Sequence, residues 1–210
     1  MFITFEGIEG CGKSTQIALL EQAMIAAGHR VVRTREPGGC PISDQIRSVL
    51  LDADNCSMVA ITELMLYGAA RAQHLAEVIR PALDQGRIVL CDRFSDATRA
   101  YQAFGRQLDR QQVEQVNQLA CQGLTPDITI LLDCPVEIGL ARAQRRIAGS
   151  IGPREERFEL EALEFHQRVR NGYLTLATEA PERFITLDAD GTPEQVAARI
   201  AAAVLRQLEH

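Results

Sequence analysis

A glycine-rich segment near the start of the chain carries residue types that bind a polyphosphate. It runs from Gly7 to Ser14 with the spacing G-x-x-x-x-G-K-S of a phosphate loop. Glycines let the backbone curl so that several N–H groups face one point, and the next helix directs its N-terminal dipole there. We expect Lys13 to reach the β- and γ-phosphates, while the Ser14 hydroxyl is placed to join a Mg²⁺ shell. The motif therefore predicts a site for a nucleoside triphosphate.

The residues around the loop have the pattern that this motif requires. A strand-like apolar run, 2–6, precedes it, and the apolar residues Ile17, Leu20 and Met24 follow it at helical spacing. A second short strand at 30–34 then completes a strand–helix–strand unit. A chance glycine turn would not have these neighbours, so we interpret the segment as a true phosphate loop.

The composition limits the class of protein. Lysine and arginine together number 22 against 28 acidic residues, and the net charge of −6 argues against a general nucleic-acid partner. Six cysteines form no C-x-x-C pair, which favours reduced thiols in a cytoplasm over disulfides or zinc. The sequence has no signal-peptide pattern and no run of eighteen apolar residues, so we expect no membrane association.

Alternating strands and helices predict one α/β domain over residues 1–210. The fourth strand is almost wholly apolar between its acidic ends, as in a parallel sheet that helices cover on both faces. We expect strands at 2–6, 30–34, 87–91, 127–133 and 184–188, and helices at about 14–28, 60–82, 110–122, from 135, 158–178 and 193–208.

Two segments could recognise a second ligand. The turn 35–39 follows a strand, and ligands bind at the carboxyl ends of parallel strands. Tyr67 and Arg71 lie four residues apart on a predicted helix, so an aromatic ring and a guanidinium share one face. That pair suits a flat base with a carbonyl edge, although an arginine lying over a half-buried tyrosine fits the spacing equally well.

The end of the third strand adds further polar groups. Asp92 would lie near the phosphate loop if the two strands are neighbours, where it could orient Mg²⁺ or its waters, and Arg93 would face a second anion. Thr98, Tyr101 and Gln102 follow and could read a ligand. These residues extend the predicted site from one nucleotide to two.

An arginine-rich segment separates the last two predicted strands. Arg142 and Arg146 precede the glycine-containing stretch 148–153, and Arg154 and Arg157 follow it. This composition is typical of a flap that closes over phosphates, and also of a solvated run of charge. The phosphate loop favours the flap, which we place at about 142–158.

Four motifs, taken together, closely resemble the bacterial thymidylate kinase family over the range from Phe2 to the last strand. They are Glu6-Gly-Ile-Glu-Gly-Cys-Gly-Lys-Ser14, Thr34-Arg-Glu-Pro-Gly-Gly39, Ala69-Ala-Arg-Ala-Gln73, and Asp92-Arg93 with Ala100-Tyr-Gln102. The resemblance implies transfer of a phosphoryl group from ATP, with Mg²⁺, to dTMP. It also implies a P-loop nucleoside monophosphate kinase fold with a five-stranded parallel sheet, a small lid and a homodimer.

The resemblance further implies roles for single residues in the acceptor site. Tyr67 would stack on thymine, Arg71 would donate to a thymine carbonyl, and Thr98 would read the thymine edge. Tyr101 would crowd the sugar 2′ position, and Glu9 would hold the 3′-hydroxyl. The implied acceptor-binding set is Glu9, Glu36, Pro37, Tyr67, Arg71, Arg93, Thr98, Tyr101 and Gln102.

The family implies a catalytic arginine, which some members carry in the phosphate loop. The loop positions between Gly7 and Gly12 hold none, so the resemblance points to Arg146 in the lid, with Arg142, Arg154 and Arg157 as alternatives. Phosphoryl transfer needs positive charge at the migrating group. The implied catalytic residues are Lys13, Arg93 and Arg146; the ATP site is Gly7, Gly10, Cys11, Gly12, Lys13, Ser14, Thr15 and Arg142; Ser14 and Asp92 would serve the metal.

Two other functions remain open at this point. Another monophosphate kinase, specific for a different base, shares the phosphate loop and the lid. A nucleotide-gated switch such as a GTPase requires an Asn-Lys-x-Asp guanine motif, and that motif does not occur in the sequence.

Overall fold

A five-stranded parallel sheet lies at the centre of the computed structural model, which describes residues 1–148 and 157–208. The strand order is β2-β3-β1-β4-β5, and the register of every neighbouring pair is parallel. The strands are β1 Phe2–Glu6, β2 Val31–Arg35, β3 Ile88–Asp92, β4 Ile128–Asp133 and β5 Phe184–Asp188. The α/β fold expected from the sequence is therefore confirmed.

Helices flank the sheet along the described ranges. They are α1 Lys13–Ala26, α2 Pro41–Leu51, α3 Ala60–His74, α4 Arg80–Asp84, α5 Ser95–Thr98, α6 Arg110–Cys121, α7 Val136–Ala148, α8 Leu163–Glu179 and α9 Pro193–Leu208. Two segments are π-helical: Leu75–Ile79 connects α3 with α4, and Arg99–Gly105 continues α5. None of the described helices is long and apolar enough to span a lipid bilayer.

Two helix boundaries differ from the sequence prediction. The helix expected over about 60–82 continues to Asp84, because the π-turn resets the hydrogen-bond pattern and leaves Pro81 in the first turn of α4, where its missing N–H costs little. The helix expected from Phe158 begins at Leu163. Phe158 instead lies in a turn, buried with its ring 5.4 Å from that of Tyr101. The sequence analysis also assigned no helix to the segment that forms α2.

The sheet order places the predicted site residues at one edge. β1 lies between β3 and β4, and Phe5 pairs in register with Asp92. The backbone N–H of Arg93 donates to the Phe5 carbonyl at 3.0 Å, so the segment after β3 stays beside the phosphate loop. Buried apolar strand residues, including Ile3 and Ile130, fix this arrangement from within the core.

An internal ion cluster anchors the segment after β3 to the other half of the sheet. Asp96 is buried and accepts from Arg183 at 2.6 Å and from Arg99 at 3.0 Å. Burial alone opposes its ionisation, but these two guanidinium groups outweigh it and lower the pKa of Asp96. The cluster ties α5 to the start of β5, across the sheet.

Candidate active site

The phosphate loop connects β1 to α1 and is closed by its own lysine. Lys13 Nζ donates to the carbonyl oxygens of Gly7 at 3.0 Å and Ile8 at 2.8 Å. Its position at the first turn of α1 follows from Gly12, whose φ of 98° is a left-handed conformation. A phosphate entering the loop competes with two carbonyls for one ammonium group.

The loop rests on helix α7 at a contact without room for side chains. A Cβ on Gly10 would lie 2.0 Å from the carbonyl oxygen of Gly139, and a Cβ on Gly139 would lie 2.5 Å from that of Glu9. Gly139 is inside α7, where glycine normally weakens a helix. Its presence is explained by this close approach, so α7 helps to fix the curvature of the loop.

Hard oxygen donors meet at the mouth of the loop. The Ser14 hydroxyl donates to Asp92 Oδ2 at 3.1 Å. A hydroxyl and a carboxylate suit Mg²⁺, which is commonly held by one or two protein oxygens together with substrate phosphates and water. Across residues 1–148 and 157–208, no group of three or more His, Cys, Asp or Glu side chains could hold an ion alone. The donor set thus fits a metal that arrives with a nucleotide.

One cavity of about 940 Å³ joins the loop to the predicted acceptor site. Most of the residues singled out from the sequence line it: Glu9, Gly10, Gly12, Lys13, Ser14, Thr15, Glu36, Pro37, Tyr67, Arg71, Asp92, Arg93, Thr98, Tyr101, Gln102, Arg142 and Arg146. Gly7 and Cys11 are buried away from its wall, and Arg157 is not on it either. Arg154 lies outside the described residues.

Arg71 is enclosed by acceptors. Nε donates to Glu36 Oε2 at 2.7 Å and Nη1 to Asn117 Oδ1 at 2.8 Å, while Nη2 donates to the Phe94 carbonyl and the Thr98 hydroxyl, both at 3.0 Å. Its side chain is only 2% exposed. Burial disfavours the charge, but the Glu36 carboxylate raises the pKa of Arg71. Within the described part of the chain, one N–H on Nη1 is left without a protein acceptor.

These contacts sharpen the prediction made from the i, i+4 spacing. The Arg71 guanidinium carbon lies 5.1 Å from the Phe94 ring centre, so its aromatic neighbour is Phe94 and not the expected alternative, Tyr67. Tyr67 lines the cavity on the same helix. Glu36 is held further by His74 Nδ1 at 3.0 Å, and His74 Nε2 lies 2.6 Å from Thr34 Oγ1. The turn after β2 is therefore joined to α3 through buried polar contacts.

Glu9 projects from the phosphate loop toward Arg93 and Tyr101. Its Oε1 accepts from the Tyr101 hydroxyl and from Arg93 Nη2, the latter at 3.2 Å, and His166 Nδ1 lies 3.4 Å from its Oε2. Burial opposes the charge of Glu9, but His166 and the positive charges of Arg93 and Lys13 prevail and lower its pKa to about 2. Glu9 is thus a carboxylate at neutral pH.

Arg93 stands between two acceptors in an unusual backbone conformation. Its φ of 70° is left-handed, which is rare for a residue with a long side chain. The guanidinium carbon lies 4.8 Å from the Tyr101 ring centre. Nη1 donates to the Tyr173 hydroxyl at 2.9 Å, and that hydroxyl donates to Glu6 Oε2 at 2.7 Å. Arg93 is therefore oriented from both the loop side and the α8 side.

The C-terminal end of the predicted flap is held by a buried arginine. Arg157 Nε donates to the Leu50 carbonyl at 2.6 Å, and its Nη2 lies 2.7 Å from Glu63 Oε2. Glu63 also accepts from Gln102 Nε2 at 2.8 Å and from Arg106 Nη2 at 3.1 Å. The sequence placed Arg157 among the flap arginines over the phosphates, whereas the structure buries it against Glu63 and the Leu50 carbonyl, off the wall of the cavity.

Two arginines of α7 face the cavity. Arg142 and Arg146 both line it, and the Arg146 side chain is 63% exposed with Nη2 3.4 Å from Glu159 Oε1. They lie four residues apart, so they share one face of the helix. Positive charge can therefore reach the cavity from α7.

The sequence analysis missed the buried partners of the site. They are Glu6, Glu63, His74, Asn117, His166 and Tyr173. Only Glu6 had a usable signal, because it ends the strand that leads into the phosphate loop. The remaining five are polar residues inside amphipathic helices, where nothing in the spacing marks them as contacts of the site.

Comparison with known proteins gives a consistent result. The family model described as thymidylate kinase matches residues 5–200. Thymidylate kinase of Trichlorobacter lovleyi is 69% identical over 99% of this chain and 98% of its own, and that of Geobacter sulfurreducens is 58% identical over 99% and 97%. The crystal structure of thymidylate kinase from Ehrlichia chaffeensis has 32% identity, covers 97% of this chain and 98% of its own, and superposes with a TM-score of 0.78.

Proposed function

This chain belongs to the thymidylate kinase family, and on that premise we propose that it transfers the γ-phosphoryl group of ATP to dTMP, giving dTDP and ADP. One observation carries the assignment to this site. Glu9 is part of the phosphate loop, yet its carboxylate bonds to Arg93 and Tyr101 on the acceptor side of the same cavity. Donor and acceptor nucleotides would thus meet at one loop.

In this proposal the triphosphate lies on the loop backbone. Lys13 exchanges its carbonyl contacts for the β- and γ-phosphates, and the hydroxyls of Ser14 and Thr15 face the same phosphates. Arg142 contributes positive charge from α7. Mg²⁺ would be held by Ser14 and Asp92, with Asp92 acting directly or through water. A bound Mg²⁺ supplies charge neutralisation on the phosphate oxygens.

The acceptor nucleotide would occupy the other half of the cavity. Tyr67 presents a ring for stacking on thymine, and Arg71 offers its remaining N–H to a base carbonyl. Thr98 is engaged by Arg71, so it shapes this edge through that contact. The Glu9–Tyr101 pair would meet the sugar, and Arg93 would bind the phosphate.

The chemistry requires positioning and charge rather than a general base. The dTMP phosphate is already an anionic nucleophile, so in-line attack on the γ-phosphorus needs no proton removal. Arg146 would supply charge to the migrating group from α7, and Lys13 and Arg93 would hold the two phosphates in line. The lid, at about residues 142–158 of a single domain, would complete the site.

We further propose a homodimer built on α2, α3 and α6. Large apolar side chains are exposed on all three helices, and α3 packs between the other two. Leu119 is 79% exposed, Met65 60% and Ile42 51%. A second copy would cover them, and light scattering after gel filtration should give twice the chain mass. A Met65→Lys variant should be monomeric.

We also place the enzyme in the cytoplasm, because its six free thiols suit a reducing compartment.

Release of ADP tests the proposed reaction. The rate is measured with ATP and, separately, dTMP, dUMP, dCMP, AMP and GMP, and dTMP should give the highest kcat/KM. A Lys13→Ala variant is the matched control for activity that does not use this loop. Equal rates with all five acceptors would contradict the assignment. Tight nucleotide binding with no acceleration by any acceptor would favour a binding protein instead.

A further inference from the structure

A chain of hydrogen bonds reaches Arg93 from the centre of the sheet. Glu6 is the last residue of β1, and Tyr173 lies in α8, 167 positions further along. The Tyr173 hydroxyl stands between them, 2.7 Å from Glu6 Oε2 and 2.9 Å from Arg93 Nη1. Both Glu6 and Tyr173 are buried, and neither lines the cavity.

The direction of each hydrogen bond is fixed by the groups involved. A guanidinium only donates, so the Tyr173 oxygen must accept from Arg93 and give its single proton to Glu6. Glu6 Oε1 already accepts from the Phe94 N–H at 2.8 Å. Both carboxylate oxygens are therefore used as acceptors, and the chain is complete only when Glu6 is ionised.

We propose that Glu6 and Tyr173 are positioning residues, which hold the Arg93 guanidinium in the plane required to bind the phosphate of the acceptor nucleotide. This rests on the proposed function, in which Arg93 meets that phosphate. Arginine has a long side chain with many rotamers, and bidentate recognition of a phosphate depends on the plane of its fork. Glu9 on Nη2 and Tyr173 on Nη1 fix that plane from two sides, and among the described residues three N–H groups of Arg93 remain for the ligand.

The surroundings of Glu6 make this arrangement sensitive to pH. Burial first, and the Asp96 charge second, raise the pKa of Glu6 to about 7, against lowering effects of Arg93, Tyr173 and the Phe94 N–H. The charged or titratable groups that face it are Asp96 of α5, Arg93 and Cys91 at the end of β3, Arg71 of α3 and Tyr173 of α8. Protonated Glu6 no longer offers two acceptors, so the Tyr173 hydroxyl loses its partner and Arg93 its support.

The test compares three variants with the wild-type chain under one assay. Tyr173→Phe removes only the hydroxyl, and Glu6→Gln replaces the carboxylate by an isosteric amide. Thr4→Val is the matched control, because Thr4 lies on the same face of β1 and its buried hydroxyl bonds to Thr129 rather than to Arg93. KM for dTMP, KM for ATP and kcat are measured from pH 6 to 9, and thermal unfolding reports folding.

We expect Tyr173→Phe and Glu6→Gln each to raise the KM for dTMP by about tenfold, the scale of one hydrogen bond to a charged group, with the KM for ATP changed by less than about twofold. The double variant should be no worse than the more severe single variant, since both break the same chain. Thr4→Val should keep wild-type KM values. In wild type the KM for dTMP should rise as the pH falls below 7. In Glu6→Gln the KM for dTMP should rise only near pH 6, where the substrate phosphate takes up a proton.

Three results would overturn the proposal: an unchanged KM for dTMP in Tyr173→Phe, equal effects on both substrates, or multiplicative effects in the double variant. If Glu6→Gln does not fold, Tyr173→Phe alone decides, since its ring still fills the core. Failure of the proposed function would be visible separately, as absence of dTMP-dependent ADP release in the wild-type chain.

Discussion

Arg157 and Glu63 form a buried ion pair, with Nη2 of the arginine 2.7 Å from Oε2 of the glutamate. Glu63 is on α3, the helix that carries Tyr67 and Arg71, whereas Arg157 directly follows the segment 149–156. The pair thus attaches the C-terminal end of the proposed lid to the helix that carries Tyr67 and Arg71 on the wall of the cavity.

Removing one partner of this pair should be costly. We expect Arg157→Met to lower the free energy of unfolding by about 3–5 kcal/mol, because Glu63 would be left with less compensating charge in the core. Urea unfolding measures the difference. Arg110→Met, which breaks the exposed Arg110–Glu179 pair, is the control and should cost about 1 kcal/mol or less. Equal losses in the two variants would mean that Arg157 is not an anchor.

Arg71 should act on both stability and acceptor binding. Arg71→Ala leaves the Glu36 carboxylate buried without its cation, so we expect a loss of about 3–5 kcal/mol in unfolding free energy. It should also raise the KM for dTMP more than that for ATP. Arg71→Lys keeps the positive charge but loses the planar guanidinium. It therefore separates the effect on stability from the effect on the KM for dTMP. Equal KM changes for both substrates would assign Arg71 a structural role only.

Arg146 should affect the chemical step. We expect Arg146→Ala to lower kcat by about 10²-fold or more with little change in either KM, as for an interaction made only in the transition state. Steady-state kinetics measure this directly. Arg145→Ala is the neighbouring control, since Arg145 is exposed and does not line the cavity. An unchanged kcat would transfer the role to Arg142 on the same face of α7.

The contact between Gly139 and the phosphate loop should not tolerate a methyl group. A Cβ there would stand 2.5 Å from the Glu9 carbonyl oxygen, so we expect Gly139→Ala to shift the loop and to raise the KM for both substrates. Gly28→Ala is the control: Gly28 has a positive φ, but no atom of the described residues lies within 4 Å of the added Cβ. It should lose about 1 kcal/mol of stability without a change in KM. Equal KM values in the two variants would mean that the contact with α7 does not fix the shape of the phosphate loop.

The buried carboxyl of Glu6 should make the free energy of unfolding depend on pH. Burial and the Asp96 charge raise its pKa from 4.5 to about 7, so the folded state holds a proton that the unfolded state releases. The resulting stabilisation is present below pH 4.5 and is lost as the pH rises through 7, by about 3 kcal/mol. The stability of Glu6→Gln relative to wild type should therefore increase by about that amount from pH 5 to pH 8. A pH-independent difference in urea unfolding would contradict the raised pKa.

The sequence predicts the sheet well because strands leave a local signal. Each of the five apolar runs lies within one residue of its observed strand, and the phosphate loop fixes the join of β1 to α1. Two predicted helix boundaries differ from the structure, the end of the helix at about 60–82 and the start at Phe158, and both differences have non-local causes. A π-turn earlier in the helix absorbs Pro81, and burial against Tyr101 keeps Phe158 in a turn. Local propensity carries no information on either.

The sequence predicts the residues that line the cavity but not the buried residues that hold them in place. Residues such as Glu9 and Arg93 belong to contiguous motifs, so their types and spacing mark them. Their partners come from remote segments: Tyr173 from α8 and Asn117 from α6. These partners look like ordinary helix residues until the fold brings them within hydrogen-bond distance. For the same reason, the engagement of Arg71 by four acceptors could not be foreseen from the i, i+4 spacing.

The left-handed backbone of Arg93 bears on how this enzyme could be engineered. Glycine adopts that conformation without steric cost, but glycine at position 93 would leave the Glu9 carboxylate without its ion-pair partner, so relief of backbone strain alone does not favour the change. The variant would also lack the guanidinium that the proposed function directs at the acceptor phosphate. Any stabilisation of this scaffold should therefore hold position 93 fixed and seek its gains at the surface.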